Sequence, residues 1–155
     1  MLSIKWEFSH QFPGPFDYRA GRDGVDNTFD VFCLTTDQWI ISTHYWEERL
    51  QAELVARIVS NALNFVALDL DRDTIPSHLL RDLAQFQEEF LGPYVARREH
   101  CEYYGPLIEI ACESTDACVL FAPAGPSVRM ICRHVARCLN QLVDSMRQDD
   151  HVCPC

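Results

Sequence analysis

Hydrophobic and polar residues alternate over the first part of the chain, which is the period of a strand with one buried face. The alternation over 2–8 predicts a first strand. Glycine and proline are dense over 10–27, and this density predicts an irregular loop. Two further alternating runs, 29–33 and 39–43, are separated by turn residues and predict a β-hairpin.

Near position 45 the hydrophobic period lengthens to three or four residues, which indicates amphipathic helices. The pattern predicts a long helix over 45–65. A second helix ends near Leu91, before a Gly-Pro pair that stops it. We expect Thr74 to cap this second helix and Pro76 to lie in its first turn, where the missing N–H costs nothing.

The last third of the chain repeats the change from strand to helix. Residues 94–105 have no clear period, whereas 107–121 predicts a second hairpin around a polar turn. A third helix follows over 127–147, and 149–155 is expected to be a loose tail. No internal repeat is apparent in these patterns.

The order of these elements predicts the fold class. Short hairpins instead of helical crossovers favour an antiparallel sheet. We therefore expect a single α+β domain over 1–148, with about five strands and three helices packed on one face of the sheet.

Composition limits the classes of partner. The 155 residues carry 23 acidic and 13 basic side chains, a net charge of −10, which opposes binding to nucleic acid or to an anionic membrane. A protein partner with a basic surface is favoured instead.

The sequence contains no uncharged apolar run near 18 residues, the length that a membrane-spanning helix needs. Residues 1–20 show no secretory signal, so a cytoplasmic location is expected.

Eight cysteines suggest either disulfides or a metal site. In a reducing compartment most of them are expected to be free thiols that pack as small apolar groups. The strongest metal candidate combines His134 and Cys138, four residues apart on one helix, with Cys153 and Cys155 near the end of the chain. Since Cys138 also fits the apolar stripe of that helix, we expect folding without a metal and assign no cofactor.

Acidic residues are concentrated in two segments. The spacing of Asp69, Asp71 and Asp73 resembles the start of a calcium loop, but Thr74 stands where glycine is needed and Leu80 where glutamate is needed. Both segments are predicted to face a basic partner, and two tryptophans near the first hairpin are candidate apolar anchors. The predicted partner-binding residues are Asp23, Asp26, Asp30, Asp69, Asp71, Asp73, Trp39 and Trp46.

Catalytic motifs are absent from the sequence. It contains no G-x-S-x-G, H-E-x-x-H, phosphate-binding loop or dinucleotide fingerprint, and no Cys/His pair can be assigned as nucleophile and base. We therefore name no catalytic residue.

One segment resembles a known group of proteins. In certain immunity proteins of bacterial polymorphic toxin systems, a glycine-containing loop leads into Phe-x-Val-x-Val, then Thr-Pro and Trp-Leu. The stretch 21–41, GRDGVDNTFDVFCLTTDQWII, has Phe29, Val31 and Cys33 in the strand, Thr36-Asp37 in place of Thr-Pro, and Trp39-Ile40 in place of Trp-Leu. The resemblance implies a small cytoplasmic protein that neutralises a cognate toxin by binding it.

Two other functions remain open. One is an acidic inhibitor that mimics nucleic acid, of the kind that phages use against host defences. The other is a small regulator or enzyme that uses the Cys/His set to bind zinc.

Overall fold

The fold is α+β, as predicted from the sequence. The computed structural model describes residues 4–21, 28–43, 49–70, 72–102 and 105–151, which contain six strands and four helices instead of five and three. A single 3₁₀ turn, Arg72–Thr74, precedes the third helix. In chain order the elements are α1 (Ile4–Gln11), β1 (Phe16–Ala20), β2 (Phe29–Cys33), β3 (Gln38–Thr43), α2 (Arg49–Ala67), α3 (Ser77–Glu89), β4 (Tyr94–Cys101), β5 (Gly105–Cys112), β6 (Ala117–Pro123) and α4 (Val128–His151).

The six strands form one antiparallel sheet in the order β1-β2-β3-β6-β5-β4. Helices α2 and α4 pack against the sheet and against each other, so that one core lies between the sheet and a helical layer. The core-facing side chains of β2 are Phe29, Val31 and Cys33, all buried. Because successive side chains of a strand point to opposite faces, Asp30 and Phe32 lie on the other face.

The chain consists of two similar halves, each with the order helix, three strands, helix. The first half runs from α1 to α2 and the second from α3 to α4. At the centre of the sheet Ser42 of β3 pairs with Phe121 of β6. The strand order is therefore symmetric about an approximate two-fold axis between these residues. The first helix of each half packs on the last helix of the other, α1 on α4 and α3 on α2.

Equivalent contacts hold the start of the sheet in each half. Asn64 of α2 accepts a hydrogen bond from the Phe16 backbone N–H at 2.8 Å and donates one to the Phe16 carbonyl at 3.0 Å. Asn140 of α4 makes the same two bonds with Tyr94, both at 2.8 Å. In each half, an asparagine of the last helix thus fixes the first strand through the same pair of hydrogen bonds.

The motif Phe-x-Gly-Pro-aromatic precedes both of these strands. Gly14 and Gly92 have positive φ angles of 81° and 93°, and a Cβ on either would lie 3.0 Å or 3.3 Å from the ring two residues later. Glycine is therefore required in both halves by conformation and by the close aromatic ring.

The hairpin turns share a second motif, Cys-x-(Ser/Thr)-Thr-Asp, at 33–37 and 112–116. The turn residues Leu34 and Glu113 each donate a backbone hydrogen bond, at 2.9 Å, to the carbonyl of the proline in the first motif. The expectation that the chain has no internal repeat is therefore wrong. The shared residues are few and are separated by loops of different length, so the repeat does not appear as a hydrophobic period.

Two local predictions are also wrong, and one segment without a predicted element forms a strand. The first strand over 2–8 is instead helical from Ile4, because Phe8 and Phe12, four residues apart, both turn into the core. The loop over 10–27 contains β1, which is held by long-range pairing with β2. The unassigned segment 94–105 contains β4, whose polar residues suit an edge strand.

The helix ends differ slightly from the predictions. Thr74 lies in the 3₁₀ turn and Pro76 is the residue before α3, which begins at Ser77 without a side-chain cap. The last helix continues to His151, through positions assigned to the tail, and 152–155 lie outside the described residues. None of the helices described has the length and apolar character that a membrane crossing needs.

Candidate functional site

The candidate site is the face of the sheet that points away from the helical layer, here called the open face. The four helices form one layer through the contacts of α1 with α4, α4 with α2 and α2 with α3, so no helix in the described part of the chain covers this face. One row of directly paired residues crosses all six strands on the open face. In strand order the row is Arg19, Asp30, Ser42, Phe121, Glu109 and Arg97.

The row is nearly symmetric about the central pair. An arginine stands at each end, a carboxylate comes next, and Ser42 and Phe121 meet at the axis. Asp30 and Glu109 are both buried, although they belong to the face without helices. A buried carboxylate needs a polar partner, and Asp30 accepts a hydrogen bond from Ser42 whereas Glu109 pairs with Arg97.

In the first half a polar chain links the row to an aromatic side chain. Trp39 Nε1–H donates to Ser42 Oγ at 3.0 Å, and Ser42 Oγ donates to Asp30 Oδ1 at 2.5 Å. The guanidinium of Arg19 lies 4.3 Å above the centroid of the Phe32 ring, a cation–π contact. The two aromatic side chains, Phe32 and Trp39, face each other on adjacent strands.

In the second half Arg97 binds three carboxylates. Its Nε donates to Glu109 Oε1 at 2.6 Å, its Nη1 contacts the carboxylate of Asp116, and Glu99 lies 3.5 Å from Nε. The hydrogen bonds that Arg97 donates to Asp116 and Glu109 raise its pKa above the usual value. Burial, together with the negative charge of Glu109, raises the pKa of the nearby Cys118 thiol, which is therefore a neutral packing group and not a nucleophile.

The turn aspartates complete both ends of the face. Asp37 and Asp116 adopt positive φ angles of 53° and 58°, which aspartate tolerates better than most residues. Asp37 pairs with Arg19 at 3.6 Å, and Asp116 makes the matching contact with Arg97. Each half thus places one arginine and several carboxylates on the open face. Arg19 pairs with Asp37 and lies opposite Asp30 in the row, and Arg97 lies among Glu99, Glu109 and Asp116.

A β-bulge in each hairpin decides which side chain reaches the open face. The register between β2 and β3 shifts so that Phe32 pairs with Trp39, and Ile40 becomes the extra residue. The register between β5 and β6 shifts at the matching place, so that Ala111 pairs with Cys118. Both halves thus have the same bulge and the same arginine and carboxylate positions, but the aromatic pair Phe32 and Trp39 occurs in the first half alone.

The structure separates the predicted partner-binding residues into groups. Trp39 and Asp30 lie on the open face, but Asp30 is buried and is not a free loop carboxylate. Asp69 and Asp73 are exposed in the connection between α2 and α3, in the helical layer. The others, Asp23, Asp26, Asp71 and Trp46, lie outside the described residues.

The predicted metal ligands do not form a complete site within the described residues. His134 Nε2 lies 3.4 Å from Cys138 Sγ, in the core between α4 and α1, where the imidazole stacks on Phe8 at 4.1 Å. Burial lowers the pKa of His134 to about 4 and raises that of Cys138 to about 12. Cys153 and Cys155 lie outside the described residues, which contain no cluster of three ligands suited to a metal ion. The six cysteines at described positions are free thiols.

Several residues of the open face were missed by the sequence analysis, chiefly Arg97, Glu109 and Phe121. Their importance follows from cross-strand register, which has no local pattern. One signal was present in the sequence, because each Cys-x-(Ser/Thr)-Thr-Asp motif ends on the aspartate that pairs with an open-face arginine.

Comparison with known protein families, with curated proteins and with solved structures finds no match to this chain.

Proposed function

We propose that this chain is a protein-binding module that docks a basic protein surface on the open face of its sheet. The observation that carries this proposal is the charged and aromatic row, which crosses all six strands on a face that no described helix covers. A sheet face used only to contact water needs neither buried carboxylates nor a hydrogen-bonded tryptophan.

Charge favours a basic partner. Each half of the open face carries more carboxylates than arginines, and the whole chain has a net charge of −10. Asp37 and Asp116 are the most accessible of these carboxylates, with side chains 75% and 81% exposed. Exposed charges of this kind act mainly on the rate of association and on the choice of partner.

The aromatic pair supplies the apolar contact. Trp39 is half-buried, and the buried Phe32 lies beside it. A partner can therefore cover the exposed part of Trp39 without ordering a flexible loop. Tryptophan is among the residues that most often dominate binding energy at protein interfaces. We therefore assign the main contact to the first half of the face.

The partner in this proposal is a bacterial toxin, and the chain acts in the cytoplasm by covering the toxin's functional surface. The segment that resembles immunity proteins includes β2 and part of β3, the strands that carry Phe32 and Trp39. Occlusion requires no catalytic residue. Mimicry of nucleic acid is less favoured, because Arg19 and Arg97 interrupt the carboxylates on this face.

A displayed library of protein fragments from the source genome tests the binding surface. The wild-type chain is the only bait, and the fragments that it selects are then measured against the double variant Phe32→Ala with Trp39→Ala. In the second half Ala111 stands at the position equivalent to Phe32, so the strand pairing itself does not require an aromatic residue there. A variant with Leu68→Ala and Leu80→Ala, two exposed residues of the helical layer, is the matched control.

We expect the selected fragments to be basic, to bind the control variant normally and to bind the double variant at least tenfold more weakly. Fragments that bind the double variant as tightly as the wild type would contradict the assignment of the open face. Expression of the selected parent protein in bacteria then tests the toxin, since immunity requires that growth arrest is relieved by co-expression of this chain.

A further inference from the structure

We infer that the partner presents two basic segments, one for each half of the open face, on either side of a single apolar contact at Trp39. This inference rests on the proposed function and adds the arrangement of the partner. It follows from the approximate two-fold axis between Ser42 and Phe121.

The charged ends of the face are equivalent by position. In each half an arginine on the edge strand pairs with the aspartate of the turn, Arg19 with Asp37 and Arg97 with Asp116. The buried carboxylate of the row lies on the strand next to that arginine, Asp30 in one half and Glu109 in the other. A basic segment that suits one end therefore meets a similar charge pattern at the other.

The spacing of the two ends follows from sheet geometry. Each turn begins three residues beyond the row, from Asp30 to Cys33 and from Glu109 to Cys112, and these strands run in opposite directions. At about 3.3 Å per residue and 4.8 Å per strand, the turns are separated by about 20 Å along the strands and about 14 Å across them, which places them roughly 25 Å apart across the axis. One globular partner or one extended chain can span this distance.

The two halves of the open face differ in the residues that can fix the orientation of a bound partner. A fully symmetric face would accept a partner in two orientations related by the axis. Phe32 and Trp39 in the first half are equivalent by the axis to Ala111 and Cys118 in the second. The aromatic contact is therefore available in the first half only. Because both halves carry the same charges and only the first half carries the aromatic pair, the face favours one partner bound in one orientation.

The test uses two synthetic basic peptides at low salt. The single peptide has nine residues of alternating lysine and threonine. The tandem peptide joins two copies through twelve glycine and serine residues, which span about 19 Å as a flexible chain. Binding is followed by NMR of the isotope-labelled protein, which reports affinity and the residues affected.

We expect the tandem peptide to bind at least tenfold more tightly than the single one, because its second contact is intramolecular. Either Asp37→Asn or Asp116→Asn should reduce the tandem to the affinity of the single peptide. Asparagine is chosen because it tolerates the positive φ of both turns. Asp73→Asn, an exposed change in the helical layer, is the control and should have no effect.

A tandem peptide that binds no more tightly, or that responds to only one of the two substitutions, would overturn the two-segment arrangement and leave the proposed binding face intact. If neither peptide binds at low salt, the charge argument for the proposed function itself is wrong.

Discussion

Replacing His134 by isoleucine tests the most unusual buried group of the helical layer. His134 is 3% exposed, stacks on Phe8, and has no hydrogen-bond partner for Nδ1 within the described residues. By the two-fold relation its counterpart in α2 is Ile58, which is fully buried. The second half therefore carries an imidazole where the first half packs an aliphatic side chain.

The pH dependence of this group has a definite sign. Burial, and the positive charges of Arg137 and Lys5, lower the pKa of His134 from 6.5 to about 4. The unfolded chain therefore takes up the proton first as the pH falls. The contribution of neutral His134 is complete above about pH 6.5 and is lost progressively toward pH 4.

The magnitude follows from the two pKa values. The whole difference corresponds to about 3 kcal/mol of unfolding free energy, of which about 2 kcal/mol is lost by pH 5. His134→Ile removes the titrating group and leaves every other ionisable side chain in place. The variant should therefore gain about 2 kcal/mol relative to wild type between pH 7.5 and pH 5, on top of any constant difference.

Urea unfolding followed by tryptophan fluorescence at pH 7.5, 6 and 5 measures this gain. Ile58→Val is the control, because it changes core packing by about 1 kcal/mol without a titrating group and should differ from wild type equally at each pH. An equal difference between His134→Ile and wild type at all three pH values would refute the buried neutral imidazole.

Three further outcomes are expected. Asn64→Ala and Asn140→Ala should each lower the free energy of unfolding in urea by about 2 kcal/mol, since each leaves a strand N–H and carbonyl unpaired; a large difference between them would contradict the equivalence of the halves. Asp82→Ala should cost about 1–2 kcal/mol in the same assay by removing the paired hydrogen bonds from Arg57 that join α3 to α2; an unchanged midpoint would show that this ion pair is not formed. A chelator should leave the thermal midpoint unchanged, and a fall of more than about 5 °C, on the order of 1–2 kcal/mol, would indicate a bound metal.

The sequence alone predicted the elements whose signals are local. Helices α2, α3 and α4 have apolar residues every three or four positions, and the two hairpins have alternating runs around polar turns. These patterns arise from the contact of each element with a single core, so they can be recognised without knowing the neighbouring element. The fold class followed from the order of these elements.

The elements that were missed depend on neighbours distant in sequence. Strands β1 and β4 are the two edges of the sheet, each hydrogen-bonded along one side to a single partner and rich in polar residues. Edge strands carry a weak apolar pattern because much of their surface faces water. The helix α1 is short, and it packs through Phe8 on the last helix of the chain.

The candidate site was decided by tertiary structure for a related reason. Asp30 and Trp39 were named from the sequence, but their place beside Ser42 and Phe121 depends on strand register and on a β-bulge. A shift of one residue would turn these side chains to the other face of the sheet. The composition of the chain determined its negative charge, whereas only the pairing of six strands assembled part of that charge, with two arginines and an aromatic pair, on one open surface.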